Sequence, residues 1–213
     1  MNHLQLSRKP LLVLLFTLLA TPHALADVIL SLESVSAAPG STGNQFDVLL
    51  TNTGPSSLNV AGFSFSLSAA NLEIIFTGGA TATAATYIFA GNSLFGPTIA
   101  SIPNTQTVEA SDLFDLPLSG ATIAANSTVG LGRIAFTISN GATAGVFPVT
   151  FGAFPGTSLS DPNALDIPIN GLMSGNITIA GNATVPEPSA FLMVASGVAA
   201  VVALGWKRIQ RSR

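Results

Sequence analysis

Apolar and polar side chains alternate through the middle of this chain. From Asn44 to Thr51, Phe46, Val48 and Leu50 share one face, and Gln45, Asp47 and Thr51 share the other. Ala61, Phe63, Phe65 and Leu67 oppose Gly62, Ser64, Ser66 and Ser68, while Ile134, Phe136 and Ile138 oppose Arg133, Ala135 and Thr137. A period of two marks half-buried antiparallel strands. Shorter apolar runs predict further strands at Val28–Glu33, Leu72–Phe76, Thr86–Phe89, Thr105–Ala110, Val146–Phe151 and Asn176–Ile179. Turn chemistry separates them at Pro39-Gly40, Gly54-Pro55, Gly78-Gly79, Gly96-Pro97, Asn140-Gly141, Pro155-Gly156 and Asn170-Gly171. No helical period occurs between the two ends. About nine strands over residues 27–184 predict an all-β fold, an antiparallel jelly-roll-like sandwich. The 11 Phe residues of that span supply most of its large core volume.

The two ends follow another pattern. Arg8 and Lys9 precede the apolar run Leu11–Ala20, and the small-x-small triplet Ala24-Leu25-Ala26 follows. This order is that of a secretory signal peptide over residues 1–26, cut by signal peptidase after Ala26, with Ala24 and Ala26 as the cleavage-site residues. The run is shorter than the roughly 20 residues a permanent anchor needs. At the other end, Val185, Pro186, Glu187, Pro188 and Ser189 form a stiff acidic motif. The 19 residues from Pro188 to Trp206 are uncharged. As a helix they would reach roughly 28 Å, about one hydrocarbon core. The expected transmembrane helix is 189–206, closed by the interfacial aromatic Trp206. Lys207, Arg208, Arg211 and Arg213 make the basic stop-transfer tail, 207–213, which stays cytoplasmic and leaves the body outside.

An anchor explains the span and the tail but not the Pro-Glu-Pro before them. Motif, span and basic cluster in this order, over Val185 to Arg213, closely resemble the PEP-CTERM sorting signal of Gram-negative bacteria. The resemblance implies processing by an exosortase after a transient stay in the cytoplasmic membrane. It implies delivery to the bacterial cell surface or to an exopolysaccharide matrix, as in biofilms. The prolines fit that role, because they block helix continuation and present extended backbone to a protease.

Charge narrows the chemistry. Between Asp27 and Thr184 the only cation is Arg133, against nine carboxylates: Asp27, Glu33, Asp47, Glu73, Glu109, Asp112, Asp115, Asp161 and Asp166. One positive against nine negative charges leaves the body at −8, which excludes nucleic acid as a partner. The body has no His, Cys or Lys. Nucleophilic triads and zinc sites are therefore excluded, and the protein is read as a non-enzyme. What remains is hard oxygen. Glu109, Asp112 and Asp115 fall around a predicted loop, and Asp161 and Asp166 flank Pro162-Asn163, so these five are candidates for calcium. The alternative is that they are solvated acids, with Asp112 and Asp115 keeping a loop containing Leu113 and Phe114 soluble. No other cofactor is implied. The body has one Tyr, Tyr87, and no Trp. Tyr87 is expected on a strand with its hydroxyl at the rim, which leaves little aromatic platform for a glycan. Without cysteine no disulfide staples the body, and low charge on a β-protein exposes its edges to pairing.

The order of the strands resembles the cohesin-like domain, which shares a jelly-roll sandwich with some carbohydrate-binding modules. Val35 to Ser41 with the strand after it resembles the cohesin opening. Val60 to Leu67 and Leu131 to Ile138 resemble two of its inner strands, and Asn170 to Ile179 its closing hairpin. The low-complexity stretch from Gly78 to Thr86 departs from the pattern, and no dockerin segment is present. The resemblance covers most of residues 27–180. It implies a structural or adhesion role at the surface or in the matrix, with exopolysaccharide or other surface proteins as partners. The alternative is a carbohydrate-binding module for matrix polysaccharide, assisted by calcium.

Overall fold

The computed structural model describes residues 27–101, 106–115, 119–153 and 156–181. The expected signal peptide with Ala24 and Ala26, the sorting motif 185–189, the span and the basic tail lie outside the described residues. Among the described residues no helix is long and apolar enough to cross a membrane.

The alternating segments become strands, and the described residues form 14 of them. They are β1 (Val28–Leu32), β2 (Val35–Ala37), β3 (Asn44–Asn52), β4 (Leu58–Val60), β5 (Gly62–Ala69), β6 (Ile74–Ala80) and β7 (Thr98–Ser101). Then follow β8 (Thr107–Leu113), β9 (Ala121–Ile123), β10 (Ser127–Ile138), β11 (Gly145–Phe151), β12 (Ser158–Ser160), β13 (Gly171–Met173) and β14 (Gly175–Ile179). One sheet has the order β13-β1-β3-β10-β6. The other runs β2-β14-β11-β5-β8-β7, with β12 also pairing β5, and β4-β9 form a small third sheet. The architecture is an all-β sandwich.

The long alternating runs place their apolar faces inward as the pattern predicts. Phe46, Val48 and Leu50 of β3 meet Phe63, Phe65 and Leu67 of β5 and Ile134, Phe136 and Ile138 of β10 in one buried cluster. Phe46 lies 6.2 Å from Phe76 and 5.9 Å from Phe136, ring centre to ring centre. Each such ring contributes about 1.5–3 kcal/mol by leaving water.

Several expectations are corrected. Six strands, β2, β4, β7, β9, β12 and β13, were not predicted; five have three residues and β7 has four, too few to show a period. Thr86–Phe89 is not a strand. Tyr87, Ile88 and Phe89 are all buried in succession, so no outward face alternates with an inward one there. Tyr87 makes an isolated bridge to Gly130, and turns follow at Ala90 and Asn92. The sandwich is not wholly antiparallel, since β1 pairs β13 and β14 pairs β2 in parallel. The closing segment is also not a hairpin. β13 and β14 are separated by Ser174 alone and enter different sheets in the same direction, as β1 and β2 do at the start. Gly175 lies at this crossing, where a Cβ would stand 2.8 Å from the Glu33 carbonyl oxygen. Because the first and last strands run side by side, Val28 sits beside Asn170, and Ile179 pairs with Ala37 some ten residues further along. The described chain therefore enters at one pole of the sandwich and leaves at the other.

The low-complexity stretch has a structural place. Its first residues finish β6, and residues 81–86 fold back across β10. Gly130 makes room, because a Cβ there would collide with Thr83.

Candidate functional site

The outer face of the second sheet is a field of hydroxyls. Pairing aligns Ser158 of β12 with Ser64 of β5, Ser64 with Ser111 of β8, and Ser111 with Thr98 of β7. Four hydroxyl side chains thus form one row across four strands, roughly 14 Å wide at the usual strand spacing. The row follows from the alternation that buries Phe63 and Phe65 on the other side of β5. Ser64 and Ser158 Oγ are 2.8 Å apart and share a hydrogen bond.

Walls rise on either side of this floor. Leu113 and Ser160 close one end, and the loop before β7 raises Phe95, 85% exposed, above it. Together they enclose a groove of about 380 Å³. It continues past Ser111 into a second hollow of about 290 Å³, beside Ala100, Gly156 and Glu109. Glu109 is the carboxylate at that end.

A buried network holds the Phe95 loop in place. Asp112, next to Ser111 on β8, points to the inner side and is 5% exposed. The Tyr87 hydroxyl donates to its Oδ2 at 2.6 Å. Ser93 Oγ donates to Oδ1 at 2.7 Å, and the Leu113 N–H donates to the same oxygen at 2.8 Å. The Leu94 N–H then donates to the Leu113 carbonyl. Ser93 and Leu94 carry Phe95, so the loop is tied to β8 just before the exposed ring. Tyr87 also packs edge-on to Phe63 and Phe89. Burial, and then the neighbouring Asp112 carboxylate, push the Tyr87 hydroxyl well above its ordinary value. Its hydroxyl is therefore inside the fold and not at the rim.

A second charged cluster fastens residues 81–86. Arg133 grips Asp47 through Nε to Oδ1 at 2.6 Å and Nη2 to Oδ2 at 2.9 Å. The Ala84 N–H donates to Oδ2 at 2.7 Å. Asp47 is 1% exposed. Burial raises its carboxyl, but the Arg133 guanidinium and the Ala84 amide outweigh that and hold it below the usual carboxylate range. The body's one cation is thus a structural partner of this acid.

The structure separates most of the calcium candidates. Glu109 and Asp112 face opposite sides of β8, which runs to Leu113 where a loop was expected. Asp115 lies beyond the strand. Asp161 closes a turn, its Oδ1 accepting from the Asn163 and Leu165 N–H groups, which hold its carboxyl low. Asp166 is exposed after this turn. Among the described residues no three acidic or metal-ligating side chains converge. The hydroxyl row escaped the sequence reading for a physical reason. Ser64, Ser66 and Ser68 were visible as a polar face, but Thr98 and Ser158 sit on strands too short to predict.

No protein-family model matches the chain, and no curated protein matches it in sequence. Solved structures do match. The cohesin domain CaCohA2 of Clostridium acetobutylicum, in solution, is 20% identical at a TM-score of 0.56, over 75% of this chain and 94% of its own. The sixth cohesin of scaffoldin B from Acetivibrio cellulolyticus, in complex with a Cel5 dockerin, is 14% identical at 0.54, over 72% of this chain and 99% of its own. A type I cohesin–dockerin complex from Clostridium thermocellum matches at 13% identity and 0.53, over 72% of this chain and 99% of that one. The likeness is one of fold.

Proposed function

We propose that the chain is an exported, non-enzymatic protein of the bacterial surface or extracellular matrix, whose sandwich docks a partner in the hydroxyl-floored groove. The groove carries this reading. It presents an exposed aromatic ring and four aligned hydroxyls, and the body has none of the His, Cys or Lys side chains from which the common nucleophilic systems are built. The scarcity of aromatic side chains favours a protein partner, and so do the fold neighbours seen in complex with dockerins. Four hydroxyls in a row also suit a polysaccharide strand, which is the alternative reading.

Delivery rests on the two ends. The signal peptide would be removed after Ala26. An exosortase would act near Pro186-Glu187-Pro188 while the span and Lys207, Arg208, Arg211 and Arg213 hold the chain in the membrane.

Two experiments test these parts separately. Replacing Pro186, Glu187 and Pro188 by alanine should keep the protein in the membrane at its larger size. An unchanged size outside the cell would remove the sorting reading. For the groove, the protein and its Phe95→Ala variant are passed over the host's extracellular proteins and, separately, its purified exopolysaccharide. Retention by the proteins that Phe95→Ala abolishes supports the reading. Retention by the polysaccharide selects the alternative, and retention by neither means the groove is not a docking face.

A further inference from the structure

Two asparagines of the chain are followed by glycine, in Asn140-Gly141 and in Asn170-Gly171. As dipeptides they are equivalent. Glycine has no side chain to shield its backbone nitrogen, so that nitrogen can reach the side-chain carbonyl carbon of the asparagine before it. Both asparagines are exposed, so water reaches both. The fold treats them differently. Asn140 and Gly141 are the central pair of the turn that leads out of β10. The Ala142 N–H closes this turn on the Ser139 carbonyl at 3.2 Å, and Gly141 has a φ of 77°, a left-handed value that glycine takes without strain. That bond spans the pair and holds neither reacting group. Among the described residues the Asn140 carboxamide and the Gly141 N–H have no hydrogen-bond partner. The carboxamide oxygen lies over Gly40, where a Cβ would collide with it. Asn170, by contrast, is held. Its Oδ1 accepts from the Val28 N–H at 3.1 Å, and its own N–H donates to the Val28 carbonyl at 2.8 Å. The carboxamide is thereby turned to β1, and Gly171 is fixed in register beside Ile29. Closing the two atoms on each other there means breaking into the start of β13.

We infer that Asn140 is a site of spontaneous covalent modification, deamidation through a cyclic imide, and that the fold protects Asn170 from the same reaction. The Gly141 backbone nitrogen gives up its proton to solvent base and attacks Asn140 Cγ. The bond from Cγ to the carboxamide nitrogen breaks, ammonia leaves, and a five-membered imide closes. Water then opens the ring. Opening at Cγ gives aspartate. Opening at the main-chain carbonyl gives isoaspartate, in which the chain runs through the former side chain and gains one carbon. Nothing is oxidised or reduced, and water is the only co-reactant. Either product carries a new carboxylate and takes the body from −8 to −9. Isoaspartate also lengthens the turn. Two bonds to the Ser139 carbonyl adjoin that change, one from Ala142 and one from the Gly40 N–H at 3.1 Å. Ala142 itself is 7% exposed and belongs to the core. Isoaspartate at 140 therefore loosens the corner between β10 and β11. The inference depends on neither the docking nor the sorting reading.

The full chain, purified in mild detergent, is kept warm at mildly alkaline pH, which speeds loss of the glycine proton. A second sample is kept in concentrated urea. Peptide mass spectrometry follows the acid formed at each asparagine, and an isoaspartyl methyltransferase marks the isoaspartate. In the folded protein Asn140 should convert at least about fivefold faster than Asn170, the difference expected when two hydrogen bonds must be given up at one site and none at the other. In urea the gap should close, because the dipeptides are the same. Asn140→Gln, whose ring would be six-membered, should abolish most of the charge gained on anion exchange and leave the circular dichroism unchanged. Equal rates in the folded protein, a faster Asn170, or a gap that persists in urea would each overturn the inference. So would an Asn140 that keeps its amide for as long as the unfolded chain takes to lose it.

Discussion

Replacing Tyr87 with phenylalanine removes one oxygen from the interior and almost nothing else. That oxygen is the donor to Asp112 Oδ2 at 2.6 Å, while Ser93 and Leu113 serve the other carboxylate oxygen. The ring can stay where it packs against Phe63 and Phe89. The cost is therefore the loss of a hydrogen bond to a charged group plus an acceptor left short of a donor in a site that is 5% exposed. Such losses cost about 1.5–3 kcal/mol. For a domain of this size that lowers the melting temperature by roughly 4–8 °C. The assay is thermal and urea unfolding followed by far-ultraviolet circular dichroism. Tryptophan emission is unsuitable, because the only Trp lies at residue 206, outside the sandwich. Asp112→Asn and the double variant complete a cycle, which isolates the pair and should give a coupling of about 1–2 kcal/mol. The network also anchors the Phe95 loop, so Tyr87→Phe should speed amide exchange at Leu94. A Tyr87→Phe protein within 0.5 kcal/mol of the parent would mean that the buried network is not what holds this end of the groove together.

Tyr87 is the only tyrosine, so phenolate absorbance reports one group. Its folded-state value is raised above the ordinary 10.0, so its stabilising contribution is complete below pH 10 and is lost as pH rises further. Absorbance at about 295 nm should stay flat past pH 10 and then rise together with unfolding; an ordinary titration centred at 10 in folded protein would refute the burial of that hydroxyl. Asp47 is shifted the other way. Its contribution is present above its ordinary 3.8 and is lost as pH falls below that value, so the parent should weaken in acid. Asp47→Asn should flatten that acid dependence and speed hydrogen exchange at Ala84 on the order of tenfold, since a charge-assisted bond to that amide is weakened. An unchanged rate at Ala84 would show that residues 81–86 are held by something else.

Much of this protein is decided locally. Phe46 to Leu50, Phe63 to Leu67 and Ile134 to Ile138 carry a two-residue period long enough to name their inward faces, and those faces form the core. Composition showed equally plainly which side chains the body lacks, because a residue type that is absent needs no coordinates. What the sequence could not show was decided by partners far along the chain. Strands of three or four residues have no period, so β7 and β12 exist only because β8 and β5 offer them hydrogen bonds. The hydroxyl row is a property of register, and register is set between strands. Asp112 and Glu109 look like neighbours in the sequence, but the pleat turns one inward to Tyr87, 25 positions before it, and the other out to solvent. The parallel run of first and last strands likewise arises from where the two crossings between sheets fall. Local pattern determines which face of a segment avoids water; only the assembled sheets decide what that face, and the one behind it, will meet.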